Sequence, residues 1–346
     1  MIECPVPKRG YDRIVLGHGS GGRLSADLID SVFVPGFGGA TLARLEDHAT
    51  VALSEPAARI AFTTDSFVVR PLFFPGGDIG KLAVHGTIND LAVGGAVPRA
   101  LSAAFILEEG LSIADLSRIV ASMREACAEA GVEIVTGDTK VVDRGKGDQV
   151  FITTSGIGVV PDGRALSIAA ARLGDCILVS GPIGDHGVAI LSVREGLEFE
   201  TELASDTASL HDLCRALLEV CPSIRCMRDP TRGGVASALC DLARASKVGV
   251  RIEESAIPVR REVRAACELL GLDPLHVACE GRLIAVLPRA DADGALSVMR
   301  DHPKGRQAAL IGEVIAEDPG IVVMTSRLGS MRIVSPLTGE QLPRIC

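Results

Sequence analysis

Four aspartates in the first half of the chain have the chemistry and placement of ligands for a hard metal ion. They are Asp47 in LEDHA, Asp65 in TTDS, Asp90 in TIND and Asp138 in GDTK. Mg²⁺ prefers carboxylate oxygens and commonly shares them with nucleotide phosphates. Any single aspartate is more commonly the cap of a turn or helix. Their joint occurrence at the ends of strands and helices therefore favours a magnesium-nucleotide site.

A glycine-rich run, Gly17-His-Gly-Ser-Gly-Gly22, lies between an apolar triplet and a predicted helix near 24–33. The spacing matches a dinucleotide-binding loop, but no acidic residue ends a second strand at the required distance, and the Lys-Ser/Thr of a Walker loop is missing. Two interpretations remain: a loop whose amides bind phosphate, or a flexible linker. The amides concerned belong to Gly19, Ser20, Gly21 and Gly22.

Further charged residues could handle protons or anions. Thr139 and Lys140 directly follow Asp138, so an ammonium next to a carboxylate could neutralise phosphate or move a proton; a surface ion pair is the alternative. The segment 229–234, DPTRGG, opens a predicted helix whose start could face an anion. Glu280 precedes a predicted strand, where it could face a cleft or be a solvated turn residue.

The ten cysteines form no C-x-x-C pair, and no histidine pair has zinc-finger spacing. We interpret most of them as small buried side chains in a reducing cytosol. Cys346 is the exception. It is the last residue of the sequence, in a segment (SPLTGEQLPRIC) that is polar, interrupted twice by proline and expected to be extended and mobile.

The composition excludes several classes of protein. The net charge is −9 and aromatic residues make up 3%, so a basic groove with base-stacking rings for nucleic acid is not expected. Hydrophobic residues at 47% indicate a globular chain. No apolar stretch approaches the roughly 18 residues of a membrane span, and no secretory leader is evident. We therefore expect a cytoplasmic protein without membrane contact.

Strand and helix patterns alternate along the chain, which predicts an α/β protein. The predicted strands are 59–66, 100–107, 132–137, 150–159, 176–184, 249–253, 282–287 and 308–314. The predicted helices are 24–33, 76–96, 112–130, 205–220, 232–246, 260–270 and 290–300. The turn signal PDGR at 161–164 divides the pattern. The expected division is an ATP-binding and dimerisation domain (1–160), an α/β domain (161–334) and a tail (335–346).

Together these segments resemble the HypE family of hydrogenase maturation proteins. The segments are LEDHA, TTDS, GKLAVHGTINDLAVGGAVPRALS, GDTK, DPTRGG, ACEGR and the terminal PRIC. The family belongs to a superfamily that includes aminoimidazole ribonucleotide synthetase, selenophosphate synthetase and thiamine-monophosphate kinase. The resemblance implies two domains with mixed sheets, the first domains of two chains pairing into a barrel-like dimer core.

The resemblance also implies a site. ATP with Mg²⁺ would lie between the halves, with the four aspartates around the metal and phosphates and with Thr139 and the glycine run at the nucleotide. A carbamoyltransferase, HypF, would load a carbamoyl group on Cys346. ATP would phosphorylate its oxygen, and Glu280 with Lys140 would handle protons as a thiocyanate forms. Cyanide would then pass to iron on a HypC–HypD complex.

Two other classes of function remain open at this level. A kinase or synthetase acting on a free small molecule would use the same ATP machinery without needing a thiol at the last residue. A nucleotide-binding scaffold without catalysis would show no ATP turnover. A carbamoyl adduct on Cys346, detected by mass spectrometry, separates the HypE-like interpretation from the first, and absence of ATP turnover after carbamoylation would support the second.

Overall fold

The computed structural model describes residues 22–28, 30, 44–46, 49–52, 59–196, 203–337, 339 and 345. Five of the expected site residues lie outside these ranges, and their roles stay predictions. They are Gly19, Ser20, Gly21, Asp47 and Cys346.

A five-stranded sheet forms the centre of the first half. Its strands are β1 (Ala49–Ala52), β2 (Arg59–Phe67), β5 (Val97–Glu108), β6 (Glu133–Val142) and β7 (Val150–Val160). The order is β1-β2-β7-β5-β6, in which β5 and β6 are parallel and the other neighbours are antiparallel. A small hairpin joins β3 (Phe73–Phe74) to β4 (Gly77–Asp78). The helices are α1 (Arg23–Leu28), α2 (Ile79–Val93) and α3 (Ile113–Ala130).

The two faces of this sheet have different surroundings. Along β7 buried residues alternate with more exposed ones, as expected for a sheet covered on one side. The inner face packs on α2 and α3, where Leu82, Ile119 and Ile152 belong to one apolar core. Asp78 begins α2 by accepting bonds from two amides of its first turn. The outer face carries no helix from the described part of the chain.

The second half contains a seven-stranded sheet of order β14-β13-β10-β12-β8-β11-β9. Its strands are β8 (Asp175–Val179), β9 (Cys226–Arg228), β10 (Gly249–Glu253), β11 (Ile284–Pro288), β12 (Ala309–Ile315), β13 (Val322–Thr325) and β14 (Met331–Val334). Its α-helices are α4 (Asp185–Glu195), α5 (His211–Val220), α6 (Gly234–Ser246), α7 (Arg261–Leu270) and α8 (Ala292–Asp301). Separate apolar clusters pack against the two faces of this sheet.

The observed fold confirms the predicted mixed α/β class. The helix predicted over 76–96 begins only at Ile79, because Gly77 and Asp78 pair with the preceding strand. Six strands were not predicted, because at two to four residues they are too short for a clear pattern: β1, β3, β4, β9, β13 and β14. Among the helices of the described residues, none has the length and apolarity needed to cross a membrane.

The terminal segment differs from its expectation in one respect. Ile345 is 6% exposed, belongs to the inner-face core and forms an isolated antiparallel bridge with Val69. The sequence predicts a mobile segment, because its composition is polar and proline-rich. The buried side chain and this bridge attach Ile345 to the protein.

Candidate active site

Two of the predicted metal ligands, Asp65 and Asp90, lie where β2 faces α2. Asp65 shares a cross-strand row with Thr154, which is buried on the inner face. Its Oδ2 lies 3.8 Å from the position of a Cβ on Gly86, one helical turn before Asp90. The Thr63 hydroxyl donates a 2.6 Å hydrogen bond to Asp90 Oδ2. β2 and α2 therefore hold both carboxylates on the helix-covered side of the sheet.

Asn89, next to Asp90, joins α2 to the second half. Its amide nitrogen donates to the Ala208 carbonyl over 3.0 Å, and its oxygen accepts from the Leu210 amide over 2.7 Å. Asn89 is 1% exposed, so these bonds also satisfy an amide that would be costly to bury alone. The loop before α5 is thereby fixed against the helix that carries Asp90.

Glu280 lies inside this junction. Its side chain is 2% exposed, and its main-chain amide donates to Asp206 Oδ1 over 3.0 Å. A Cβ on Gly281 would lie 1.8 Å from the Asp206 carbonyl oxygen, a distance that no larger residue could accommodate without displacing the backbone. The sequence ACEG thus places a carboxyl against the loop that Asn89 holds. Glu280 is therefore not the solvated turn residue that the sequence allowed as an alternative.

The surroundings of Glu280 raise the proton affinity of its carboxyl. Burial raises the pKa of its carboxyl well above the usual range, and the charges of Asp229, Asp206 and Asp65 raise it further, while Arg232 opposes them. Within the described residues, its Oε1 has no hydrogen-bond partner. A buried carboxyl with a raised pKa and an unpartnered oxygen is typical of a group that exchanges protons with a substrate.

The helix start predicted to face an anion contributes an acid to this site. Asp229 is 7% exposed, and its charge acts on Glu280. The helix α6 begins at Gly234, whose Cβ would lie 2.5 Å from the Leu275 carbonyl. This end of α6 therefore packs against the chain, and Asp229 belongs to the acidic cluster around Glu280. We call Asp65, Asp206, Asp229 and Glu280 the interior carboxylates.

Asp138 and Lys140 lie elsewhere. Gly137 pairs with Ala103 in the row of Asp65, so Asp138 is in the next row and points to the outer face. The Lys140 ammonium is 2.9 Å from Asp138 Oδ2, and both side chains are largely exposed, at 70% and 64%. The hydrogen bond from Lys140, with that from the Thr139 amide, lowers the pKa of Asp138.

The expected metal ligands therefore separate into two groups. In the described ranges, no three His, Cys, Asp or Glu side chains are close enough to hold a metal ion by themselves. Asp65 and Asp90 still fit Mg²⁺, which typically takes one or two carboxylates and completes its shell with phosphate and water oxygens. Asp138 and Lys140 are not brought to Asp65 or Glu280 within one chain.

Sequence reasoning missed His85, which faces Thr207 across the two halves at 3.3 Å. Desolvation by burial, assisted by the charge of Lys81, lowers the pKa of His85 to about 3. His85 is therefore neutral at physiological pH. The only signal in the sequence was a histidine on an almost wholly apolar helix, a pattern equally typical of a core residue.

Comparison with known proteins defines the class. Residues 45–160 match the N-terminal domain of AIR synthase related proteins, and residues 172–325 match the C-terminal domain of the same proteins. The chain thus has the two domains of this class.

Closer relatives define the family. The carbamoyl dehydratase HypE of Cupriavidus necator is 58% identical over 96% of this chain and 95% of its own length. A HypE solved with HypF has a TM-score of 0.84 at 48% identity, covering 90% of this chain and 99% of that one. A HypE solved with ATP has a TM-score of 0.80 at 51% identity, covering 95% and 98%. The chain belongs to the HypE family of carbamoyl dehydratases, which confirms the resemblance.

Proposed function

We propose that the chain carries out ATP-dependent dehydration of a carbamoyl group held on Cys346, giving a thiocyanate that supplies cyanide ligands to the iron of a NiFe hydrogenase. The observation that carries this proposal is Glu280, a buried carboxyl with a raised pKa and an unpartnered oxygen. Membership of a family of carbamoyl dehydratases supports it.

The reaction needs both a phosphoryl donor and a base. Conversion of S–C(=O)–NH₂ to S–C≡N removes one oxygen and two protons. Transfer of the ATP γ-phosphoryl group to the carboxamide oxygen makes that oxygen a good leaving group, and it departs as phosphate. In this scheme Glu280 takes one proton from nitrogen, and the second leaves nitrogen as the oxygen departs and ends on the released phosphate. The products are the thiocyanate, ADP and phosphate.

ATP is the proposed cofactor, supported by the relative solved with ATP. Asp65 and Asp90 are the residues of this chain proposed to hold Mg²⁺, which would shield the phosphate charge. The amides of Gly19, Ser20, Gly21 and Gly22 are proposed to bind the phosphates, and Asp47 is proposed as a further ligand. The roles of these five residues are proposed from the sequence alone.

We place Asp138, Thr139 and Lys140 at the site of a second copy. The outer face that carries Asp138 and Lys140 also exposes large apolar side chains. They are Phe62 at 46%, Ile106 at 44%, Ile157 at 42% and Val159 at 38%. An apolar sheet face of this kind is suited to pairing with its own copy, as in the proposed barrel-like dimer. Lys140 of one copy then neutralises charge near Glu280 of the other.

The proposed partners follow the path of the group. HypF loads the carbamoyl group, supported by the relative solved with HypF. A HypC–HypD complex accepts the cyanide. All of these steps are assigned to the cytoplasm.

The mass of the C-terminal peptide tests this function. After incubation with HypF and a carbamoyl donor, the peptide should gain one carbamoyl group; after addition of ATP and Mg²⁺, it should lose one water. Cys346→Ser should show neither change, whereas Cys267→Ala, which alters a cysteine buried on α7, should show both. Phosphorylation of a free small molecule with no change at Cys346 would instead support a superfamily kinase or synthetase.

A further inference from the structure

The peptide carbonyl that joins Ile345 to Cys346 lies against a buried histidine. His186, in the first turn of α4, is fully buried, and its Nε2 is 2.6 Å from the Ile345 carbonyl oxygen. A carbonyl oxygen can only accept, so Nε2 carries the hydrogen and donates it. The hydrogen bond therefore acts one bond away from the residue that is proposed to carry the substrate.

A second hydrogen bond fixes the tautomer of His186. The Ser205 Oγ lies 2.8 Å from His186 Nδ1 and accepts from the Thr207 amide over 3.1 Å. Since that amide occupies a lone pair of Ser205, the hydroxyl hydrogen can donate to Nδ1. A neutral imidazole that accepts at Nδ1 has its hydrogen on Nε2. Burial lowers the pKa of His186, which favours this neutral form.

Apolar packing completes the contact. Ile345 packs in a core that includes Val69, Phe74 and Ala278, and the Phe74 ring meets His186 edge-on with centroids 5.6 Å apart. The Gly187 amide donates to the Ala278 carbonyl over 3.2 Å. Ala278 is two residues before Glu280, and Ser205 is next to Asp206, so both sides of this docking point continue directly into the interior carboxylates.

We infer that His186 is a positioning residue for the reaction: its Nε2–H, oriented by Ser205, holds the Ile345 carbonyl and so fixes the peptide to which the substrate-carrying residue is joined. This role rests on the proposed function. Packing of Ile345 alone would anchor the side chain but leave the peptide plane free to rotate. The hydrogen bond from His186 also fixes the orientation of the peptide plane.

The first test measures docking without any catalysis. Full-length protein is pulsed with iodoacetamide, and alkylation of Cys346 is followed by the mass of its peptide. In His186→Leu the rate should rise about tenfold, the effect of losing one hydrogen bond. His186→Gln, which retains a donor at a similar reach, should stay near wild type. His211→Leu is the matched control, because His211 accepts or donates a similar 2.8 Å bond with Ser209.

The results separate this inference from the proposed function, because alkylation requires neither ATP nor a carbamoyl group. If a folded His186→Leu protein is alkylated at the wild-type rate, docking by His186 is overturned. If His186→Gln is alkylated as fast as His186→Leu, the donor role is overturned. Ser205→Ala gives the same test if the leucine variant does not fold. With carbamoylated protein, His186→Leu should slow dehydration about tenfold at unchanged ATP affinity. Unchanged dehydration would overturn the positioning role.

Discussion

The interior carboxylates and Asp138, which pairs with Lys140 on the outer face, place carboxyl groups in opposite environments. Glu280 is enclosed among other acids, and its pKa is raised by burial and by their charges. Asp138 is solvated and bonded to Lys140, which lowers its pKa. The first environment prepares a proton acceptor; the second keeps an ammonium available at a surface. Carboxylates from equally distinctive motifs are therefore proposed to serve different parts of the chemistry.

The largest effect expected from this contrast follows replacement of Glu280. In Glu280→Gln the basic oxygen is lost while the shape is kept, so dehydration should fall by about 100- to 10,000-fold. Carbamoylation of Cys346 and binding of ATP should remain, which places the block after loading. Mass spectrometry of the terminal peptide checks this. Normal accumulation of the dehydrated peptide would show that another group is the base.

Glu280→Gln also predicts a change in the pH dependence of stability. Because the folded-state pKa is raised, folding is most favoured with Glu280 protonated, and its contribution is lost as pH rises above the unfolded value toward the folded one. Each pH unit in that window costs about 1.4 kcal/mol. The glutamine variant should lack this slope in denaturant unfolding. Identical slopes in both proteins would contradict a raised pKa.

Asp90→Asn tests the inner metal ligands. Asparagine can still accept the bond from Thr63, so the fold should be preserved while one negative charge is lost. We expect binding of ATP with Mg²⁺ to weaken by about tenfold or more, as for loss of a charge-assisted contact. Calorimetric titration measures the change. Unchanged affinity would remove Asp90 from the site.

His85 gives a prediction of opposite sign. Its pKa is lowered to about 3, so the folded state requires the neutral ring. Its contribution is complete above pH 6.5 and is lost as pH falls below that value. Between pH 7 and pH 5 wild type should lose on the order of 2 kcal/mol more than His85→Asn, which can retain the bond to Thr207. Equal losses in chemical unfolding would show that His85 titrates normally.

The smallest effect is expected from the outer-face ion pair. Asp138→Asn should leave Tm unchanged within error, because both partners are exposed and such pairs contribute little to stability. Differential scanning calorimetry at a concentration where the protein is monomeric checks this. A clear fall in Tm would mean that the pair already has a structural role.

The sequence predicted the mixed α/β fold and most long elements, because their periodicity reflects burial on one face. It also selected Asp65, Asp90 and Glu280 through motifs. It could not show that Asp138 faces away from Asp65, because that depends on strand register: Gly137 occupies the row of Asp65. It could not find Asp206 or His186 either, since their partners lie 74 and 159 residues away in sequence.

The proposed working site combines Glu280 of one copy with Lys140 of another, and this claim is central. Mixing Glu280→Gln chains with Lys140→Ala chains, after dissociation and reassociation, tests it directly. Each variant alone should be nearly inactive. If the residues meet across a two-fold interface, random pairing restores one intact site in each mixed dimer, and dehydration of the Cys346 peptide should recover to about a quarter of wild type. Mixtures no more active than the separate variants would contradict the claim and assign both residues to one chain.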